Sequence, residues 1–295
     1  MTVRPLPIVV VTAVLLAACG SDGEESPSPG VTATALDDGG TAGPGSSPSP
    51  STSPTTDAQT DATSTDTPTS APDPTTPPVS QPNPNPAGVD PEPIPAGRYA
   101  YTTNGWSKLA GGSQQNLPST TWLVAAAPSG SRQNVTRDMR DGDGFGQTVR
   151  RLMEYGDDGF LLHEIETNAR VQTLLGPVSD TRKLTTSPPG SLGAPDSEVG
   201  WTNTFTMSGD GVTAKITAKL VRFEDVTVGG QTLRAAVVTQ DVTFTGEIEG
   251  TSTATTWLRP EDLLALKETS STTVTSSGIT QESQYSATLK SLTPS

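Results

Sequence analysis

The sequence predicts an all-β protein: one antiparallel, strongly curved meander, half-barrel or barrel-like, that follows a disordered tether. Three observations predict it. Beyond residue 95, apolar and polar residues alternate with a period of two, as in 98–102, 213–219 and 240–244. Gly- and Asp-rich turns recur at short intervals between these runs, and β-branched Thr and Val are abundant. No stretch keeps a 3.6-residue period over three turns. The pattern accommodates about nine to twelve strands, and an open sheet of that size must curl, split or close.

Each element follows from local chemistry. Residues 98–102 alternate, and Asn104-Gly105 supplies a turn after them. Residues 120–126 form a strand around Trp122 and Val124, closed by Pro128-Ser129-Gly130, and 132–139 form a polar one. In the clearest hairpin, 148–155 runs into Gly156-Asp157-Asp158-Gly159 and 160–166 runs out. Residues 171–175 read as a further strand and 187–196 as a Pro/Gly loop. Residues 201–208 and 212–224 flank Gly209-Asp210-Gly211. Residues 226–228 and 233–245 flank Gly229-Gly230, with Gln240, Val242 and Phe244 on one face. A Thr-rich strand over 251–258 ends in Trp257. Arg259-Pro260-Glu261-Asp262 is a corner, open to a single helical turn begun by Pro260. Residues 264–275 and 281–289 close the chain around Ser276-Ser277-Gly278. Every Trp, Tyr and Phe lies beyond Pro95, and 96–295 is long enough for one core, so it is read as one domain.

The start of the chain is different. Arg4 precedes an apolar run over 8–18, which has signal-peptide length and is too short to span a bilayer. It ends in Leu16-Ala17-Ala18-Cys19, and Cys19 is the only cysteine. This motif resembles the lipobox of bacterial lipoproteins. The resemblance implies that 1–18 are removed as a lipoprotein signal peptide and that Cys19 is acylated, two or three chains giving stable membrane anchoring. With Cys19 acylated, no thiol remains for a disulfide, a metal site or a nucleophile.

Residues 19–95 are dominated by Ser, Thr, Pro, Asp, Gly and Ala, as in Pro82-Asn83-Pro84-Asn85-Pro86. Such a segment buries too little to offset the entropy of ordering and is expected to be disordered. Its reach lies between roughly 50 Å as a coil and roughly 200 Å extended. Between Arg4 and Arg98 there is no Lys or Arg, but acids run from Asp22 to Glu92. Most of the net charge of −14 therefore belongs to the tether and does not mark an acidic binding face on the domain.

The order Gly200-Trp201, Val226-Thr227-Val228-Gly229-Gly230, Leu233-Arg234-Ala235, Thr256-Trp257-Leu258-Arg259-Pro260 and Leu266-Lys267-Glu268 resembles a group of envelope β-meander proteins of unknown function. The resemblance covers roughly 201–292 and implies a fold and an envelope location, but no activity. More distantly, the layout is similar to curved-sheet lipoprotein carriers, which hold lipid in a concave face.

No catalytic signature, cofactor motif or metal-ligand set stands out. His163 is the only histidine and lies in a strand, so no imidazole cluster is available. Asp138, Asp141 and Asp143 alternate with glycines, but the calcium-loop spacing counted from Asp141 puts Phe145 and Leu152 where oxygen ligands belong. Arg137, Arg140, Arg150 and Arg151 form the densest basic cluster. Alternation places Arg150 and Arg151 on opposite faces, and interleaved acids argue against nucleic acid. Trp106, Trp122, Trp201 and Trp257 are read as core residues. The expectation is a non-enzymatic lipoprotein on the outer face of the bacterial cell membrane whose β domain binds a ligand, with lipid or another apolar molecule in view. The alternative is a structural or partner-binding envelope protein that contacts another protein or the cell wall.

Overall fold

A computed structural model describes residues 90–142, 146–157, 159–173 and 176–295, with side chains except over 171–178. The anchor at Cys19 and nearly all of the tether lie outside the described residues. The strands are β1 (Gly97–Leu109), β2 (Gln115–Asn116), β3 (Thr120–Ala125), β4 (Arg132–Asp138), β5 (Gly146–Gly156), β6 (Gly159–Thr173) and β7 (Gly176–Ser191). They continue as β8 (Thr202–Gly209), β9 (Val212–Val228), β10 (Gln231–Gly246), β11 (Ile248–Leu258), β12 (Ala265–Ser276) and β13 (Ile279–Leu289). Apart from β2, neighbours along the chain pair antiparallel, β3 with β1, and β13 returns to pair with β1 from Tyr101↔Leu289 to Leu109↔Gln281. Of the 13 strands, β2 pairs only with β1, which leaves twelve in a closed antiparallel barrel. The expected curved meander is therefore a barrel, and closure removes the exposed edges an open sheet would leave.

Alternation decides what faces inward. In β9, Val212, Ala214, Ile216 and Ala218 are buried while Lys215 and Lys219 are exposed. In β13, Gln281, Ser283, Tyr285 and Ala287 are buried while Glu282, Gln284 and Thr288 are exposed. On these two strands the exposed positions are polar or charged.

Three local readings need correction. Asn104-Gly105 makes no turn, because β1 passes straight through it. Gly105 serves close approach instead: a Cβ there would lie 2.3 Å from the Gln284 carbonyl oxygen and 2.8 Å from Leu117. Residues 212–224 and 226–228 are one strand, bent by a register shift opposite Val237/Val238. Of the run 171–175, residues 171–173 are the end of β6 and the rest lies outside the described residues, and the following sixteen-residue β7 absorbs half of the expected Pro/Gly loop. Its prolines conceal it from propensity, yet they are tolerated because β7 pairs with β8 only at Thr185↔Ser208, so few ladder donors are needed on that side. The corner at 259–262 is a turn, as expected, without the helical turn that Pro260 left open, and Leu263 follows it at φ 58°.

Candidate functional site

A ring of twelve strands is wider than the eight-stranded ring that side chains just fill, so its interior needs bulk. The largest fully buried side chains are Arg137, Tyr99, Tyr101 and Phe160. The presence of an arginine in that group sets up the site. The inward phase of β4 carries Gln133, Val135 and Arg137, and Met139 continues it just past the strand, all buried. In β5, the register Val135↔Arg151 brings Arg151 beside it, between Val149 and Met153. The inward phase of β12 carries Glu268, Ser270 and Thr272.

These residues meet inside the barrel. Arg137 Nη2 lies 3.2 Å from Glu268 Oε2, with side-chain exposures of 1% and 5%. The Arg137 guanidinium also stacks 3.9 Å from the centroid of the Tyr101 ring. Tyr101 in turn donates its hydroxyl to the Ala265 carbonyl at 2.7 Å. Burial pushes the Glu268 carboxyl up, against the pull of Arg137 and Arg151. Burial also lowers Arg151, and the nearby Arg137 charge adds to that. One buried carboxylate thus answers two guanidinium groups, Arg137 by direct contact and Arg151 only through space. Among the described residues, Arg137 Nε and Nη1 and Arg151 Nε have no hydrogen-bond partner. Arginines elsewhere contrast with this: Arg150 meets Glu164 and Glu166, and Arg182 meets Asp180, Glu247 and the Asp210 carbonyl.

The charged cluster opens on an internal cavity of about 70 Å³. Arg137, Arg151, Glu268, Gln240 and Thr256 give it a polar side. Its remaining walls are apolar, and three of them belong to the cap over one end of the barrel: Ile94, Leu192 and Leu263. Ile94 belongs to the strap that joins the tether to β1. Gln133 Nε2 donates to the Ile94 carbonyl at 2.6 Å, and Gln133 Oε1 accepts the Ile94 N–H at 3.1 Å. Glu92 N–H donates to the Glu261 carbonyl at 2.9 Å, which ties the strap to the 259–264 corner. A second void of about 20 Å³ under Trp201, Phe223 and Pro260 shares Leu192, Val238, Leu258 and Leu263 with the first.

The residues singled out from sequence fall in several places. Cys19 lies outside the described residues. His163 is half-buried at a register shift of β6 and meets Glu154 Oε2 at 2.6 Å, apart from the cavity. Asp138 is tied to Arg140 at 2.7 Å, Asp141 is exposed, and Asp143 is not described. Arg150 and Arg151 do take opposite faces, and only Arg137 and Arg151 of the basic cluster reach the cavity. The tryptophans divide: Trp257 is buried and belongs to the core cluster, as expected, whereas Trp106, Trp122 and Trp201 are only half-buried. Trp106 and Trp122 are half-buried in the outward phase, and Trp257 packs under Lys267 at 4.3 Å. Trp201 lines the smaller void. Propensity did not distinguish these faces because Trp suits either side of a sheet.

Glu268 was not recognised from sequence as a site residue. A signal existed: it occupies the phase of Leu266 and Val274, where an isolated strand residue should be apolar, as Arg137 occupies the phase of Val135 and Met139. A charge in a buried phase marks a partner or a ligand.

Neither a protein-family profile nor a curated protein sequence matches the chain. Among solved structures, the chain is similar to the hypothetical lipoprotein YmcC from Escherichia coli K12, at 13% identity over 66% of this chain and 88% of that one, with a TM-score of 0.28. A likeness this slight carries no information about a ligand or an activity of this chain.

Proposed function

We propose that the chain is a lipid-anchored protein on the outer face of the bacterial cell membrane, and that its barrel acts by binding a small ligand taken into the interior at the capped end. The observation that carries this reading is the cavity itself. It has a polar, charged side and an apolar side, and part of its roof consists of the strap and loops instead of the barrel wall. At about 10–15 Å³ per water, the 70 Å³ has room for roughly five waters, or for a small ion. An acyl chain needs several hundred cubic ångströms. A lipid or other apolar ligand therefore enters only if Ile94, Leu192 and Leu263 move aside and merge the two voids.

Native mass spectrometry of the mature lipoprotein extracted from membranes tests the reading. The expected result is a species heavier than the acylated polypeptide that loses a small molecule on collisional activation. Only the bare mass, together with a barrel that takes up no added small molecule, would overturn it.

One observation favours contact with an envelope partner as a second reading. Trp122 floors an outer groove of about 580 Å³ rimmed by Arg98 and Arg140, and the Arg98 guanidinium lies 4.3 Å over the ring. Cross-linking on intact envelopes, with Trp122→Ala as the control, separates the two readings.

A further inference from the structure

We infer that the interior site recognises an oxyanion, the carboxylate or phosphate of its ligand, through the guanidinium groups of Arg137 and Arg151. The inference rests on the proposed binding role of the barrel and names the chemistry of the ligand.

The argument begins with charge. Two cations face the cavity, Arg137 fully buried and Arg151 half-buried with its Nε out of water, and one carboxylate answers them. An uncompensated cation withdrawn from water is strongly unfavourable, and a protein retains one only where something else in its working state supplies the opposite charge. Neither nearby tyrosine does so. Burial holds the Tyr101 and Tyr285 phenols above their ordinary range, so both stay neutral.

Hydrogen bonding leads to the same conclusion. Arg137 is 1% exposed, yet its Nε and Nη1 lack partners among the described residues, as does Arg151 Nε. Glu268 occupies only one edge of the Arg137 fork, at Nη2. A guanidinium presents parallel N–H donors that match two oxygens of a carboxylate or phosphate, and the bond is charge-assisted. Both arginines border the same cavity, so one oxyanion can reach both.

The surroundings add polarity to the recognition. Away from the arginines the cavity walls are Leu123, Val135, Met153, Leu162 and the apolar cap. A ligand with an anionic head and a short apolar tail complements both sides once Ile94, Leu192 and Leu263 shift to admit the tail. Bare phosphate or acetate complements only the charged one.

Arg151 is the residue to change, because removing it leaves the Arg137–Glu268 pair intact. The mature full-length protein and its Arg151→Met variant would be titrated calorimetrically with hexanoate, hexan-1-ol, acetate and inorganic phosphate. The expected result for the wild type is saturable, one-to-one binding of hexanoate, at least tenfold tighter than hexan-1-ol. Competition by phosphate or acetate would show the shared head-group chemistry, and which of them competes better would identify the preferred oxyanion. Arg151→Met should lose at least tenfold in hexanoate affinity, keep its hexan-1-ol affinity, and melt at a higher temperature than the unliganded wild type. A purely structural arginine would lower the melting temperature. Hexan-1-ol binding as tightly as hexanoate, or Arg151→Met leaving the preference for hexanoate untouched, overturns the oxyanion inference while leaving the barrel a container. If none of the four probes binds, both readings fall.

Discussion

Gln133 grips Ile94 by both of its backbone polar groups, accepting its N–H at 3.1 Å and donating to its carbonyl at 2.6 Å. The same amide donates to the Ala126 carbonyl and accepts from the Tyr155 hydroxyl at 2.7 Å. One side chain therefore seats the final residues of the tether over the cavity. Gln133→Leu removes all four bonds and leaves buried groups without partners, each a loss of about 1–3 kcal/mol, partly relieved by water at the barrel end. A net destabilisation of about 3 kcal/mol is expected in urea unfolding. Limited proteolysis should begin to cut within 90–96 while the strands stay protected. Unchanged protection of 90–96 would show that the strap is held by something other than Gln133.

Arg137 and Glu268 join β4 to β12 across the interior, and each keeps the other's charge from being buried alone. Arg137→Met leaves Glu268 without its hydrogen-bonded partner, and breaking a buried pair from one side costs about 3–5 kcal/mol. Replacing both, as Arg137→Met with Glu268→Met, removes the desolvation of both charges and fills the interior with apolar bulk of similar length. The double variant should be more stable than the single one by several kcal/mol. Chemical denaturation of the wild type and the three variants gives this cycle directly. A double variant no more stable than Arg137→Met would mean that the cluster is held by its other neighbours, such as the Tyr101 ring.

The ring itself was legible in the sequence, and its seam was not. Period-two alternation located the strands between Val212 and Leu289 to within about three residues, apart from the false break inside β9, because one face of each meets a filled interior and the other meets water. β7 escaped notice because Pro177, Pro188 and Pro189 interrupt it, and prolines are a turn signal unless pairing is known to be sparse. Gly105 misled for a related reason: a glycine signals either a turn or a close approach, and only the register against Gln284 separates the two. Arg151 could be assigned a face by alternation. Its proximity to Glu268, more than one hundred positions along the chain by their numbering, depends on how the barrel closes.

All four tyrosines are buried enough for their phenols to be raised above 10.0. Burial is the first cause in each case, because a phenolate inside the barrel would lose its hydration. The sign follows from linkage. The folded state holds these protons more tightly than the unfolded chain, so their contribution is fully present below pH 10 and is lost as pH rises above it. Ultraviolet titration of the native protein should therefore show little phenolate at pH 10, where half of a free tyrosine is ionised. Phenolate should then rise together with the loss of circular-dichroism strand signal. A smooth tyrosine titration centred at pH 10 with the fold intact would place the phenols in water.

The seam between β7 and β8 is where the barrel is expected to open first. Only Thr185↔Ser208 pairs across it, whereas β9 and β10 pair along their whole length. Side chains close the remainder: Asp210 accepts the Lys183 N–H at 2.6 Å, and Asn203 donates to the Ser191 carbonyl at 3.0 Å. Phe205 lies flat against Gly190, where an added Cβ would come within 2.3 Å of the ring. Gly190→Ala should therefore push Phe205 away, with a loss of about 1–3 kcal/mol from overpacking. Hydrogen exchange should be faster in 202–208 than in 231–246 for the wild type, and Gly190→Ala should speed only the former. Because β7 runs directly into Leu192, a wall of the cavity, loosening this seam should also speed the release of a bound ligand. Equal exchange in β8 and β10 would mean that side-chain contacts alone close the ring as firmly as a backbone ladder.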